Sequence, residues 1–202
     1  MSNKTEISNL ALAHLGAGKR IANLETEKSS EAQACRTFYD LSRDATFRDF
    51  PWSFANIERK VLALVEEDPT TDWAYSYRYP VDCVNLLKIH SDTRNDTRQS
   101  RVPYKIGKDS EGKLIYTDKE DAEVMYTQLV TDTSLYPADF ILALSFRLAG
   151  YIAPQVTGAD PFKMGERALQ LYLFEISKAE ARNVNEQQDE EEVQSEFIRA
   201  RD

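Results

Sequence analysis

The sequence predicts an α+β fold: a four-helix bundle, residues 1–50 and 137–187, interrupted by an inserted antiparallel β domain, residues 51–136, and followed by an extended C-terminal arm, residues 188–202. Three observations predict it. Apolar residues recur at helical spacing in the first fifty residues and again after residue 137, β-branched and aromatic residues form short runs between them, and an acidic run precedes one isolated apolar pair in the last segment. Neither helical half buries its apolar faces alone, so the economical arrangement packs all four helices together with the β segment projecting from them.

The first helix is expected over Thr5 to Leu15, where Ile7, Leu10, Ala11 and Leu15 share a face, Thr5 is a candidate N-cap and Gly16 follows the end. Ser30-Glu31-Ala32-Gln33 matches a capping box and opens a second helix, with Ala34, Phe38, Leu41 and Ala45 recurring every three to four residues. That helix is expected to stop near Asp49, because Pro51 pushes Phe50 out of the helical region. Candidate strands then follow at Ile57 to Val65, Tyr75 to Tyr79, Val84 to His90, Pro103 to Ile106, Lys113 to Thr117 and Glu123 to Val130, with a turn at Asp109-Ser110-Glu111-Gly112. A third helix runs from Pro137 through Phe140, Ile141, Leu144, Leu148 and Ile152 toward Pro154; it is apolar on nearly every side and is expected at the centre. Asp160-Pro161 supplies a cap and first turn for a fourth helix reaching about Glu186, with Phe162, Leu169, Tyr172, Leu173, Ile176 and Ala179 on one face.

Composition narrows the function classes. With 42% hydrophobic residues, including ten Tyr and nine Phe, the chain of 202 residues has the means to bury a substantial core. No secretory h-region is visible at MSNKTEISNL, and no apolar run approaches the roughly 20 residues that cross a bilayer, so neither export nor a membrane is expected. Cys35 and Cys83 are too few for a disulfide framework or a Cys-rich zinc site, and a reducing compartment fits them. A net charge of −9 disfavours a sequence-reading nucleic-acid domain but suits a conduit that nucleic acid passes without sticking.

Signatures of chemistry are sparse. His14 and His90 lie in no metal-ligand spacing, no G-x-S-x-G elbow occurs, and no cofactor is expected. Gly16-Ala17-Gly18-Lys19 fails as a phosphate loop, because Ala13 stands where the first glycine belongs and Arg20 where the magnesium-binding hydroxyl belongs; a helix end explains it. The carboxylate pairs Asp118 with Asp121 and Glu120 with Glu123 have the chemistry for a glycan hydrolase, the alternative function, but they flank Lys119 in what reads as a polar turn. Asn95-Asp96-Thr97 matches a glycosylation acceptor in a chain with no export signal.

Two segments suggest partners. Arg94, Arg98 and Arg101 form a local basic excess, a partner-facing loop on an acidic chain. Trp73 to Tyr79 offers aromatics at alternate positions, which read as strand core. In the last segment Asp189-Glu190-Glu191-Glu192 is followed by Phe197, Ile198, Arg199 and Arg201, the composition of an arm that orders on another surface.

The order of parts resembles a known family. Leu10-Ala11-Leu12-Ala13-His14-Leu15-Gly16, Glu31-Ala32-Gln33-Ala34-Cys35-Arg36, Arg43-Asp44-Ala45, Asp49-Phe50-Pro51-Trp52, Trp73-Ala74-Tyr75-Ser76-Tyr77-Arg78-Tyr79-Pro80 and Leu148-Ala149-Gly150-Tyr151-Ile152-Ala153-Pro154 are similar to the head-to-tail adaptors of short-tailed bacteriophages, often called tail tubular protein A. The resemblance covers most of the chain and is a pattern of packing residues. It implies a structural virion protein at the head-tail junction that is a monomer when isolated. On the portal protein it implies a dodecameric ring that carries the tail nozzle protein and forms part of the DNA-ejection conduit. Phe197, Ile198, Arg199 and Arg201 would then reach portal or a neighbouring subunit, and the loop with Arg94, Arg98 and Arg101 would face the nozzle. Twelve copies would carry a formal charge on the order of −100, which repels DNA phosphate.

Overall fold

The computed structural model describes residues 3–93, 100–158 and 160–186, and side chains as far as residue 182. The chain is α+β, with four helices and two antiparallel sheets. Helix α1 spans Lys4–His14 and α2 spans Ser30–Asp49. Seven strands follow: β1 Asn56–Val61, β2 Leu64–Thr70, β3 Trp73–Arg78, β4 Cys83–Ile89, β5 Lys105–Lys108, β6 Lys113–Thr117 and β7 Glu123–Gln128. Helices α3, Ala138–Val156, and α4, Pro161–Glu186, complete the order.

Local signals explain most boundaries. The cap of α1 is Asn3, one turn-position earlier than Thr5: its side chain accepts from Glu6 N–H while the Glu6 carboxylate accepts from Asn3 N–H, a reciprocal capping box. Thr5 is used elsewhere, its hydroxyl accepting from Leu24 N–H. Gly16, at φ +68°, closes α1: its N–H donates to Ala13 O and that of Ala17 to Leu12 O, the paired bonds of a Schellman end. Ser29, not Ser30, caps α2 by accepting from Ala32 N–H, because the Ser30 hydroxyl donates to Glu31 instead. Asp160 accepts from Lys163 N–H and opens α4.

Helix α3 is the hub. It packs on α1, α2 and α4, and Phe140, Ala143, Leu144, Leu148, Ala149, Ile152 and Ala153 are buried along it. On α2 the inward face is Cys35, Tyr39, Ser42, Thr46 and Phe47, and Leu41, expected on the buried stripe, is exposed. Pro154 does not end α3, which continues to Val156. Lacking an N–H, Pro154 frees the Gly150 carbonyl, and α4 crosses α3 there. A Cβ on Gly165 would sit 3.0 Å from Gly150 O, and one on Gly150 would sit 2.7 Å from the Leu169 side chain. Glycine on both helices is what permits this approach.

Strands β1-β7-β4 form one sheet and β2-β3-β6-β5 the other. The run Ile57 to Val65, expected as one strand, is split: Leu62 turns into the β core, its N–H donating to Ala122 O, and the chain leaves one sheet for the other. Edge strand β2 carries Glu66, Glu67, Asp68 and Pro69 with two register shifts, all of which oppose edge-to-edge pairing. Tyr77, Ile115, Val124 and Tyr126 fill the β core, with Tyr75 and Tyr79 packed against it, so the alternating aromatics are core. The Asp109 to Gly112 turn is clamped by Arg78, whose guanidinium bonds both Asp109 oxygens at 2.9 and 3.0 Å and Glu111 at 2.9 Å.

An aromatic cluster joins helices to strands. Phe47, Trp52, Phe54 and Tyr136 surround Phe140 with ring centroids 4.5, 5.0, 5.2 and 4.7 Å away. The indole N–H of Trp52 donates to Thr46 O and Tyr136 Oη–H donates to Val130 O, so the polar tips of both rings are satisfied.

Candidate functional site

Helix α4 is the longest element and is gripped by one side only. Its inward row is Gly165, Ala168, Tyr172, Ile176 and Ala179, at intervals of three and four residues. Tyr172 Oη–H donates to Asp49 Oδ2 at 2.8 Å, and the Arg147 guanidinium donates to Tyr172 Oη at 2.7 Å and pairs with Asp49, so α2, α3 and α4 meet in one polar clasp. Burial pushes the Tyr172 hydroxyl well above the ordinary tyrosine range, which keeps it a proton donor.

The outward side is where sequence and structure part. Phe162 and Leu173, expected on the buried stripe, are 79% and 62% exposed, and Phe174 is 57% exposed. Small residues occupy the true contact row, so the bulky side chains face away. The 3-4-4-3 spacing of Gly165, Ala168, Tyr172, Ile176 and Ala179 was the available signal. Phe162 and Leu173, eleven residues apart, fall within about 20° of each other on the helix. Leu171 lies on the opposite flank, with Arg167, Lys178 and Arg182 at compatible helical positions.

On that second flank, α1 and α4 both lean on α3 and leave a groove of ≈ 370 Å³ lined by His14, Phe146, Met164, Arg167, Ala168 and Leu171. The His14 ring stacks on Phe146 with centroids 3.9 Å apart. Ser145 Oγ–H donates to Leu142 O, which leaves it an acceptor, so His14 Nε2 carries the proton and donates to Ser145 at 3.0 Å. Burial lowers the His14 pKa and favours this neutral form.

A second, open cleft of ≈ 660 Å³ lies on the β unit, among Arg59, His90, Asp92, Lys119, Glu120 and Glu123. Here Arg59 pairs with Glu123, Lys119 pairs with Asp92, and the His90 ring bonds Glu58 O at 2.7 Å. Of the carboxylates considered for acid-base work, Asp118 accepts from Ala74 N–H, outside this cleft, while Glu120, Asp121 and Glu123 line it. Glu123 is thus held by a guanidinium, an arrangement suited to polar, mixed-charge contact.

The remaining candidates scatter. Arg101 is exposed, whereas Arg94 and Arg98 lie outside the described residues, as do the glycosylation-like Asn95-Asp96-Thr97 and the arm residues Phe197, Ile198, Arg199 and Arg201. Cys35 is buried and its thiol is pushed up to about 11 by that burial; Cys83 is half-buried and its Sγ lies 3.1 Å from Tyr79 Oη. Among the described residues no cluster of His, Cys, Asp and Glu is placed to hold a metal, and no helix is long and apolar enough to cross a membrane. No family model matches the chain, and no curated protein matches it.

Proposed function

We propose that this chain is a head-to-tail adaptor, a structural subunit that assembles as a ring under the portal of a short-tailed bacteriophage and carries the tail nozzle. In this reading residues 1–50 and 137–187 act as a helical bundle that packs side by side with its copies. Residues 51–136 are an inserted β domain presented to the nozzle with Arg94, Arg98 and Arg101. Residues 188–202 are the arm that docks on portal or a neighbouring subunit through Phe197, Ile198, Arg199 and Arg201. DNA passes the ring without sequence recognition, and the isolated subunit is a monomer.

The observation that carries the reading is the outward face of α4. A long helix clamped by small residues on one side and exposing Phe162, Leu173 and Phe174 on the other is built to meet a second apolar surface. The element order supports it, since the helices on either side of the strands converge on α3. So does the net charge of −9, which discourages adhesion of DNA.

Particle imaging of the full chain mixed with its portal protein, with and without residues 189–202, tests the proposal. Rings on the portal are expected from the full chain, and weak or absent assembly after truncation. A chain that leaves the portal bare sinks the adaptor reading, and unchanged assembly after truncation removes the role given to the arm.

A further inference from the structure

We propose that, in the isolated subunit, residues 187–202 of the same chain fold back along α4 and seat Phe197 and Ile198 in the groove between α1 and α4, so that the arm is stored on its own subunit. The groove is the place where two helices share a support without closing on each other, and its lining combines an aromatic floor, Phe146, with the apolar Met164 and Leu171.

Length fits this occupant. Extended chain advances roughly 3.3 Å per residue against about 1.5 Å in a helix. After a reversal over residues 187–189, the eight residues to Phe197 travel back over about 17 or 18 helical positions, to the neighbourhood of Ala168. That is the middle of the groove.

Charge fits as well. The same path lays Asp189-Glu190-Glu191-Glu192 over the last turns of α4, where Lys178 and Arg182 are exposed on the groove flank. Glu196 then arrives beside Arg167 at the groove's rim. The sequence thus carries acid, then an apolar pair, in the order in which the helix surface, followed backward, offers base and then an apolar slot. Storing the pair there also covers apolar surface that would otherwise face water.

The experiment uses the full chain without any portal. A zero-length carbodiimide cross-link is made in an equal mixture of 15N-labelled and unlabelled protein, and the linked peptides are read by mass. The expected product joins Lys178 to the Asp189–Glu192 run with both peptides of one isotope. In parallel, Phe197→Asp with Ile198→Asp, and separately Leu171→Glu, are expected to abolish that link. Both are also expected to shift the NMR signals of the His14 ring and of amides 164–171, with the far-UV spectrum unchanged. Absence of the link overturns the proposal, as does a link that mixes isotopes, which would make a second copy the occupant, or groove signals that neither variant moves. None of these outcomes depends on portal binding, so the storage contact and the adaptor reading fail separately.

Discussion

His14 is neutral in the fold because its ring is half-buried against Phe146 and its one N–H is spent on Ser145. Its pKa falls below the ordinary 6.5 on folding, so the unfolded chain binds the proton more readily. Stability from this residue is therefore complete above about pH 6.5 and is lost as pH falls from there through the lower folded value. Urea unfolding at pH 7.5 and 5.5 is expected to show the wild type losing more stability than His14→Gln over that interval; parallel losses would contradict it. Residue-scale features were legible where the signal is local. Gly16 as a helix end and Asp160-Pro161 as a helix start follow from backbone conformation and capping alone. Thr5 and Ser30 misled because a hydroxyl next to a helix start has competing partners, Leu24 N–H and the Glu31 carboxylate, that only the folded chain reveals. The Asp49-Arg147-Tyr172 clasp joins residues up to 123 positions apart, and no spacing rule reaches that far.

At the scale of elements, the crossing of α3 and α4 is set by Gly150, Gly165 and the carbonyl that Pro154 leaves without its helical bond. Gly165→Val is expected to force the helices apart and cost about 1–3 kcal/mol, as overpacking does. Gly158→Ala, where a Cβ would meet nothing within 4 Å, serves as the neutral control in the same thermal or urea denaturation. Equal stability of the two variants would show that the close approach contributes nothing. Element type was largely readable, since period and length separate amphipathic helices from short β runs. Lys113 to Thr117 matches β6 end to end. The strand expected from Ile57 to Val65 hid a change of sheet, because alternation reports that residues face two sides and not which sheet they join. The stripe on α4 was misjudged for a related reason: bulky residues were assumed to mark the buried side, whereas a close helix crossing selects small ones.

The whole molecule presents two unlike flanks of one helix to its surroundings. The flank bearing Leu171 opens on the groove beside α1, and the flank bearing Phe162 and Leu173 faces away from it. If the second flank meets neighbouring subunits in a ring, Phe162→Asp with Leu173→Asp will separate assembly from folding. Both side chains are mostly exposed, so the double variant is expected to unfold within about 0.5 kcal/mol of the wild type for each change. An aspartate at position 162 also sits in the first turn of α4, where negative charge is favourable. On the portal, by contrast, each copy would bring two carboxylates into an apolar contact repeated at every subunit boundary, and closed rings are expected to vanish from particle images. Sedimentation of the isolated variant should match that of the wild-type monomer, which locates the defect in association. Intact rings from the double variant would mean that subunits meet through some other surface, and the apolar flank of α4 would lose its place in the adaptor reading.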